Sequence, residues 1–315
     1  MIRIFVARNA CPLLLLAAIA VAQAAQPPSS EPAPGTPMAL VKKGEKLSHE
    51  GKQDEALALY GQALEKSPDL YEAHIESGIA LDLKGDYAAA QEHFMKAVAL
   101  APEDSKQQAL RLLAFSYAFA GNAVKASEPE QQVFNTRLEK RDLVGAAETC
   151  NELARIYLEL GDPAQAYKWY KTGYKTISGK ADLSETDGNL WLFRWESAQA
   201  RIAARRGQAD EARRHLTAAK AALDKANNPD QLRFYPYLAG YVAFYAGDYK
   251  TAIAELQKAD QRDPFILVLL GQAYEKSGDP GTAKDYYRKV LEINVHNPTN
   301  AFARPIAKKK LESGA

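Results

Sequence analysis

The chain is poor in cysteine. It has two, Cys11 and Cys150, so a form that has lost its first residues keeps one thiol and cannot form an internal disulfide. Net charge is also nearly absent: 40 Lys plus Arg stand against 39 Asp plus Glu. The basic excess of a nucleic-acid binder is therefore missing. Long apolar runs are lacking too. The stretch LLLLAAIAVA at Leu13–Ala22 has ten residues, where a bilayer-spanning helix needs about 20. Period-2 alternation is scarce, and apolar residues recur at helical spacing, which excludes a sheet architecture.

Chemistry-bearing motifs are absent in the same way. The histidines are His49, His74, His93, His215 and His296, and none has metal-ligand spacing. No Gly-x-Ser-x-Gly, phosphate loop or dinucleotide fingerprint occurs. The segment DLSETDG at 182–188 has Asp187 where a calcium loop needs glycine. Cys150, in TCNELA, reads as a buried inert thiol. The expectation is therefore no catalytic residue, no metal, no cofactor and no enzyme activity.

What is present begins with Arg3 and Arg8, the apolar run, and Ala22-Gln23-Ala24. Basic start, short apolar core and small-x-small site make residues 1–24 a secretory signal peptide. The expectation is an exported protein, periplasmic in the first place or secreted, with no transmembrane segment after cleavage. Residues 25–37, rich in Pro, Ser and Gly, read as an extended linker.

A repeat follows. Gly44, Leu47, Gly51, Ala56, Tyr60, Ala63 and Pro68 recur 34 residues later as Gly78, Leu81, Gly85, Ala90, Phe94, Ala97 and Pro102. The same frame fits five looser segments. The third has Ala114, Tyr117, Gly121 and Ala126; the fourth Leu153, Ala154, Tyr157, Gly161, Ala166 and Tyr170. The fifth has Ala200, Gly207, Ala212, Leu216 and Ala219; the sixth Gly240, Gly247, Ala252, Leu256 and Ala259; the seventh Leu270, Gly271, Tyr274, Gly278, Ala283, Tyr287 and Val290. This pattern resembles the tetratricopeptide repeat, a unit of about 34 residues.

The resemblance implies an all-α fold, about seven helix pairs stacked in a right-handed superhelical solenoid. Small residues at positions 8 and 20 let the paired helices approach, and larger ones at 11 and 24 fill the remaining space. Glycine at position 15 ends the first helix in a left-handed conformation. Asp86, Asp162 and Asp248 follow as caps of the second helix. Repeats 1–4 occupy 38–180 and repeats 5–7 occupy 193–297. An insertion at 181–192 separates them, with 178–189 expected as a loop. Pro129 should delay the second helix of repeat 3 until near 128, with Ser127 and Glu130 as a capping box. Pro236 should delay or kink the first helix of repeat 6. Residues 298–315 read as a solvating, basic-ended helix that caps the array.

In the resembled family the first helices line a concave groove, and positions 2, 5, 9, 12 and 13 face the ligand. That frame places Asn151 and Arg155 (repeat 4), Arg194, Arg201 and Arg205 (repeat 5), and Tyr237, Tyr241, Phe244 and Tyr245 (repeat 6) in a groove, with Phe234 beside them. An arginine stripe next to an aromatic stripe suits a peptide with an acidic and an apolar part. Repeat 1 carries Val41 and Glu45 where the family's carboxylate clamp has Lys and Asn, so that clamp is absent. The reading is a non-enzymatic scaffold or adaptor of the bacterial cell envelope with an unidentified protein or peptide partner and no nucleic acid. The alternatives are a glycan- or cell-wall-binding protein using exposed aromatics, and a self-assembling structural array.

Overall fold

A computed structural model describes residues 32–313. Residues 1–24, expected as a signal peptide, and residues 25–31 of the expected linker lie outside the described residues. Among the described residues there are fifteen α-helices and no strand. The first fourteen form seven consecutive pairs. They are α1 (Pro37–His49) with α2 (Gln53–Lys66), α3 (Tyr71–Lys84) with α4 (Tyr87–Leu100), and α5 (Lys106–Phe119) with α6 (Ala123–Glu139). Next come α7 (Leu143–Glu159) with α8 (Pro163–Ser178) and α9 (Glu185–Arg205) with α10 (Ala209–Ala226). The last two pairs are α11 (Tyr235–Tyr245) with α12 (Tyr249–Leu256) and α13 (Pro264–Lys276) with α14 (Pro280–Glu292), after which α15 (Pro298–Glu312) ends the fold. No described helix is long and apolar enough to cross a membrane.

The pairing follows from backbone chemistry. Gly51, Gly85, Gly121, Gly161, Gly207, Gly247 and Gly278 end the seven first helices, and all have positive φ. A side chain there would meet the left-handed steric penalty. The carboxylates of Asp86, Asp162 and Asp248 then accept from backbone N–H groups of the first turn of α4, α8 and α12. Within each pair the close approach is real. A Cβ added at Gly78 would lie 2.8 Å from the Phe94 ring, and one at Gly271 would lie 2.5 Å from Tyr287. Phe94 is fully buried.

Three expectations need correction. The connection after α8 is shorter than 178–189, because α9 begins at Glu185 within the expected 181–192 insertion. Ser184 caps it, accepting from the Asp187 amide at 3.0 Å and donating to the Asp187 carboxylate at 2.6 Å. Acidic Glu185 and Asp187 in the first turn favour the same start. Second, α6 does not wait for 128. It starts at Ala123, capped by Asn122, and runs through Pro129. The proline costs the ladder one donor, but Ala126, Pro129, Glu130 and Val133 lie on its buried side, and that packing keeps the helix whole. Ser127 is therefore no cap; its hydroxyl donates to the Val124 carbonyl at 2.7 Å. Pro236 acts as expected: a 3₁₀ turn at Pro229–Phe234 precedes α11, and the proline sits in its first turn.

Third, α15 is not a solvated cap. Ala301, Phe302, Ala303 and Ala307 are buried in one apolar cluster with Ala114, Ala118 and Phe119 of α5 and Phe265–Leu270 of α13. The helix thus lies across the first helices of repeats 3 and 7. Its polar groups reach repeat 2. Arg304 Nε donates to the Leu83 carbonyl at 2.7 Å, and Lys308 Nζ to the Lys84 carbonyl at 3.2 Å. Both cations thereby satisfy carbonyls at the C-terminus of α3. Just before α15, His296 pairs with Asp82 at 2.8 Å, both side chains buried. Ser116 completes the Asp82 partners at 3.0 Å. The His296 ring lies among Phe94, Phe115 and Phe119, with centroids 5.1–6.1 Å away.

Candidate functional site

With α15 occupying the groove beside repeats 2, 3 and 7, an open concavity remains beside repeats 4 to 6. It is a cavity of about 530 Å³ walled by α7, α9, α11, the Pro229–Phe234 turn and the start of α15. Asn151, Arg155, Arg194, Arg201 and Tyr237 all line it, as does Phe234. The i, i+4 spacing of Asn151 with Arg155 on α7 puts both on one face of that helix. Arg201 stands on α9 opposite them, and Tyr237 descends from the first turn of α11.

The arginines are held differently. Arg194, at the exposed mouth, pairs with Glu148 at 3.6 Å and lies over the Trp191 ring. Arg155 lies near the faces of Tyr237 and Phe265, each centroid 5.3 Å from the guanidinium. It donates to the Tyr237 hydroxyl at 2.8 Å, while its Nε is buried without a hydrogen-bond partner, 3.9 Å from Glu159. Arg201 is 9% exposed. It donates to the Ser197 carbonyl at 3.3 Å and to the Tyr170 hydroxyl at 3.0 Å. No carboxylate of the described residues lies within 4.0 Å of it. Burial pushes the Tyr237 hydroxyl up to about 12, against the pull of Arg155 and Arg201, so at neutral pH it remains a donor.

The acids at the mouth are already matched. Arg111 grips Glu152 with two hydrogen bonds, at 3.1 and 2.7 Å. Behind them Glu130 is fully buried with both carboxyl oxygens unpartnered. Burial, then the neighbouring Glu152, push it well above the usual carboxylate range.

The other expected groove residues lie elsewhere. Arg205 and Tyr245 line a second cavity of about 330 Å³ between α15 and the first helices, with Glu159. Arg205 donates to the Tyr245 hydroxyl at 2.6 Å and pairs with Glu159 at 3.5 Å. Tyr241 is wholly buried, its hydroxyl donating to Glu159 at 3.2 Å; it packs the array and cannot meet a ligand. Phe244 rests on Tyr245 and Tyr249 and lines neither cavity. Sequence reasoning missed Glu148 and Ser197, although positions 2 and 5 of the same frame hold them. It also missed Tyr170, which falls at a packing position, and Pro298 and Thr299, which no repeat frame includes.

No curated protein matches the sequence significantly. Solved structures similar to it include a tetratricopeptide repeat protein from Parabacteroides merdae ATCC 43184. That protein is 17% identical over 87% of this chain and 98% of its own, with a TM-score of 0.48. Pseudomonas aeruginosa pilF is 14% identical over 79% of this chain and 96% of its own, with a TM-score of 0.44. The TPR2AB domain of yeast Sti1, solved with pHSP90, is 15% identical over 89% and 98%, with a TM-score of 0.29. Tetratricopeptide-repeat profiles match residues 47–128, 147–176, 196–216 and 266–294, together about half of the 315 residues. Proteins of this kind generally act as scaffolds for protein–protein interaction. By repeat pattern, helix pairing and profile match alike, the chain belongs to the tetratricopeptide-repeat family.

Proposed function

We propose that this chain is a non-enzymatic scaffold of the bacterial cell envelope that holds a protein or peptide segment in the cavity between repeats 4 and 6. The observation that carries the reading is convergence. Asn151, Arg155, Arg194, Arg201 and Tyr237 come from three successive first helices and meet at one opening of about 530 Å³. That volume lies in the range of ligand pockets, and aromatic residues with arginine dominate interface hot spots. The envelope location rests on the basic-apolar-small pattern of residues 1–24.

The binding test uses a phage-displayed random dodecapeptide library selected on the full chain and, separately, on Asn151→Ala/Tyr237→Ala. Peptides that enrich on the native chain should be lost on the variant. Equal retention would remove the cavity from the function. For the location, residues 1–40 fused to a phosphatase that is active only after export should give activity in a bacterial host. An inactive fusion would overturn the export reading.

A further inference from the structure

We infer that the cavity is a seat for one carboxylate of the bound segment, with Arg201 as its principal partner. This rests on the scaffold reading above and names the chemistry of what is held.

The first ground is the state of Arg201. A guanidinium taken out of water needs an anion or a full set of acceptors. Arg201 has a backbone carbonyl and a tyrosine hydroxyl as acceptors and no carboxylate partner. The other arginines in and beside the cavity do not lack anions in this way. Arg111 has Glu152, Arg194 has Glu148, and Arg155 and Arg205 share Glu159. Asp263 stands further off, close enough to act on Arg155 electrostatically, with its Oδ1 taken by the Phe265 amide at 2.8 Å. Glu159 acts on Arg201 electrostatically from beyond ion-pair distance and is itself paired with Arg205. Arg201 is thus a buried guanidinium with no carboxylate in contact, and it lines the cavity.

The second ground is the donor arrangement around it. The Tyr170 and Tyr237 hydroxyls accept from Arg201 and Arg155, which leaves each O–H to donate. Arg155 Nε makes no hydrogen bond, and the nearest carboxylate oxygen, Glu159 Oε1, is 3.9 Å away. The Asn151 amide lines the same wall, and so does the N-terminal turn of α15 at Pro298 and Thr299, the positive end of a fifteen-residue helix. Guanidinium, hydroxyl and amide groups thus line one space, and a carboxylate supplies acceptor oxygens and one negative charge.

The third ground is the wall. Phe193 and Leu238 give the cavity apolar sides, and Phe234 stands 43% exposed at its edge. An exposed aromatic beside a buried cation suits an acid flanked by an apolar residue. Glu148 and Glu152 at the mouth disfavour a run of acids, so a single carboxylate is specified.

The test selects two random dodecapeptide libraries on the full chain, one displayed with a free C-terminus and one embedded between fixed flanks. The expected result is enrichment of one Asp or Glu beside an apolar residue. Enrichment in both libraries identifies a side-chain carboxylate. Enrichment in the free-terminus library alone identifies the chain end. Both support a carboxylate seat. The most enriched peptide is then synthesised with its acid and with the matching amide. The amide should bind the native chain roughly ten- to a hundredfold more weakly. On Arg201→Gln the two peptides should differ by less than about twofold, and Arg201→Lys should restore part of the preference. Circular dichroism and urea midpoints report whether the variants fold. If Arg201→Gln does not, the acid–amide comparison on the native chain and on Arg201→Lys still decides. Enriched peptides without an acid, or an amide that binds as well as the acid, overturn the carboxylate seat and leave the scaffold reading intact. No enrichment from either library overturns both.

Discussion

Replacing Glu76 by glutamine should stabilise the fold near neutral pH and leave it unchanged in acid. Glu76 lies half-buried on α3. Burial, and then the charge of Glu45, raise its carboxyl from the ordinary 4.5 to about 7. The sign follows from proton linkage. Between those values the unfolded chain has released the proton that the folded chain still holds, so stability falls as pH rises from about 4.5 through 7. At about 1.4 kcal/mol per unit, the ceiling on this loss is about 3 kcal/mol. Partial exposure screens the site, and about 1–2 kcal/mol is the expected gain from Glu76→Gln at pH 8. For a chain of this size that raises Tm by roughly 2–3 °C. Urea denaturation of both proteins at pH 4, 6 and 8 measures it. The gain should be near zero at pH 4 and grow monotonically. A gain of equal size at pH 4 and pH 8, or a loss at pH 8, would refute the linkage argument.

Other consequences are as direct. His296→Leu strands the fully buried Asp82 carboxylate without its partner and should cost about 3–5 kcal/mol by urea denaturation. The double variant Asp82→Leu/His296→Leu should recover much of that, and a double variant as unstable as the single one would contradict the account. Gly78→Ala puts a methyl 2.8 Å from the Phe94 ring and should cost about 1–3 kcal/mol by overpacking. Shortening the neighbour in Gly78→Ala/Phe94→Leu should make the alanine less costly than it is beside Phe94. Cys150 is fully buried, and burial pushes its thiol up to about 12. It should be inert to a disulfide reagent in the native chain at pH 8 and react within the same assay once urea unfolds the protein.

The helix pairs were legible because each needs something local. A left-handed glycine at residues such as Gly85 and a small residue at the close approach, as at Gly78, are demands that a backbone places on single positions. The wall residues Asn151, Arg155 and Arg201 were legible for the same reason: helical spacing puts Asn151 and Arg155 on one face of α7, and the repeat frame gives Arg201 the equivalent position on α9. Tyr241 obeys that spacing too, but the neighbouring first helices close over it and turn a groove position into core. Pro129 misled because propensity is a weak term beside the packing of a buried helix face. The role of α15 was illegible. Its contacts reach more than 200 residues back in the chain, and no periodicity encodes a partner at that distance.

That last helix changes what kind of object the array is. An open repeat stack is elastic: small changes at each interface add up, and the coil lengthens or widens like a spring. Here Arg304 and Lys308 fasten the end of the chain to repeat 2, and His296 locks beneath them. The same helix also borders the cavity between repeats 4 and 6, through Pro298 and Thr299 of its first turn, so closure of the array and the wall of the cavity depend on one element. Between repeat 2 and α15 the array is thereby a closed loop of contacts, and repeats 2 to 7 cannot uncoil as a stack until the seam between α15 and α3 has parted.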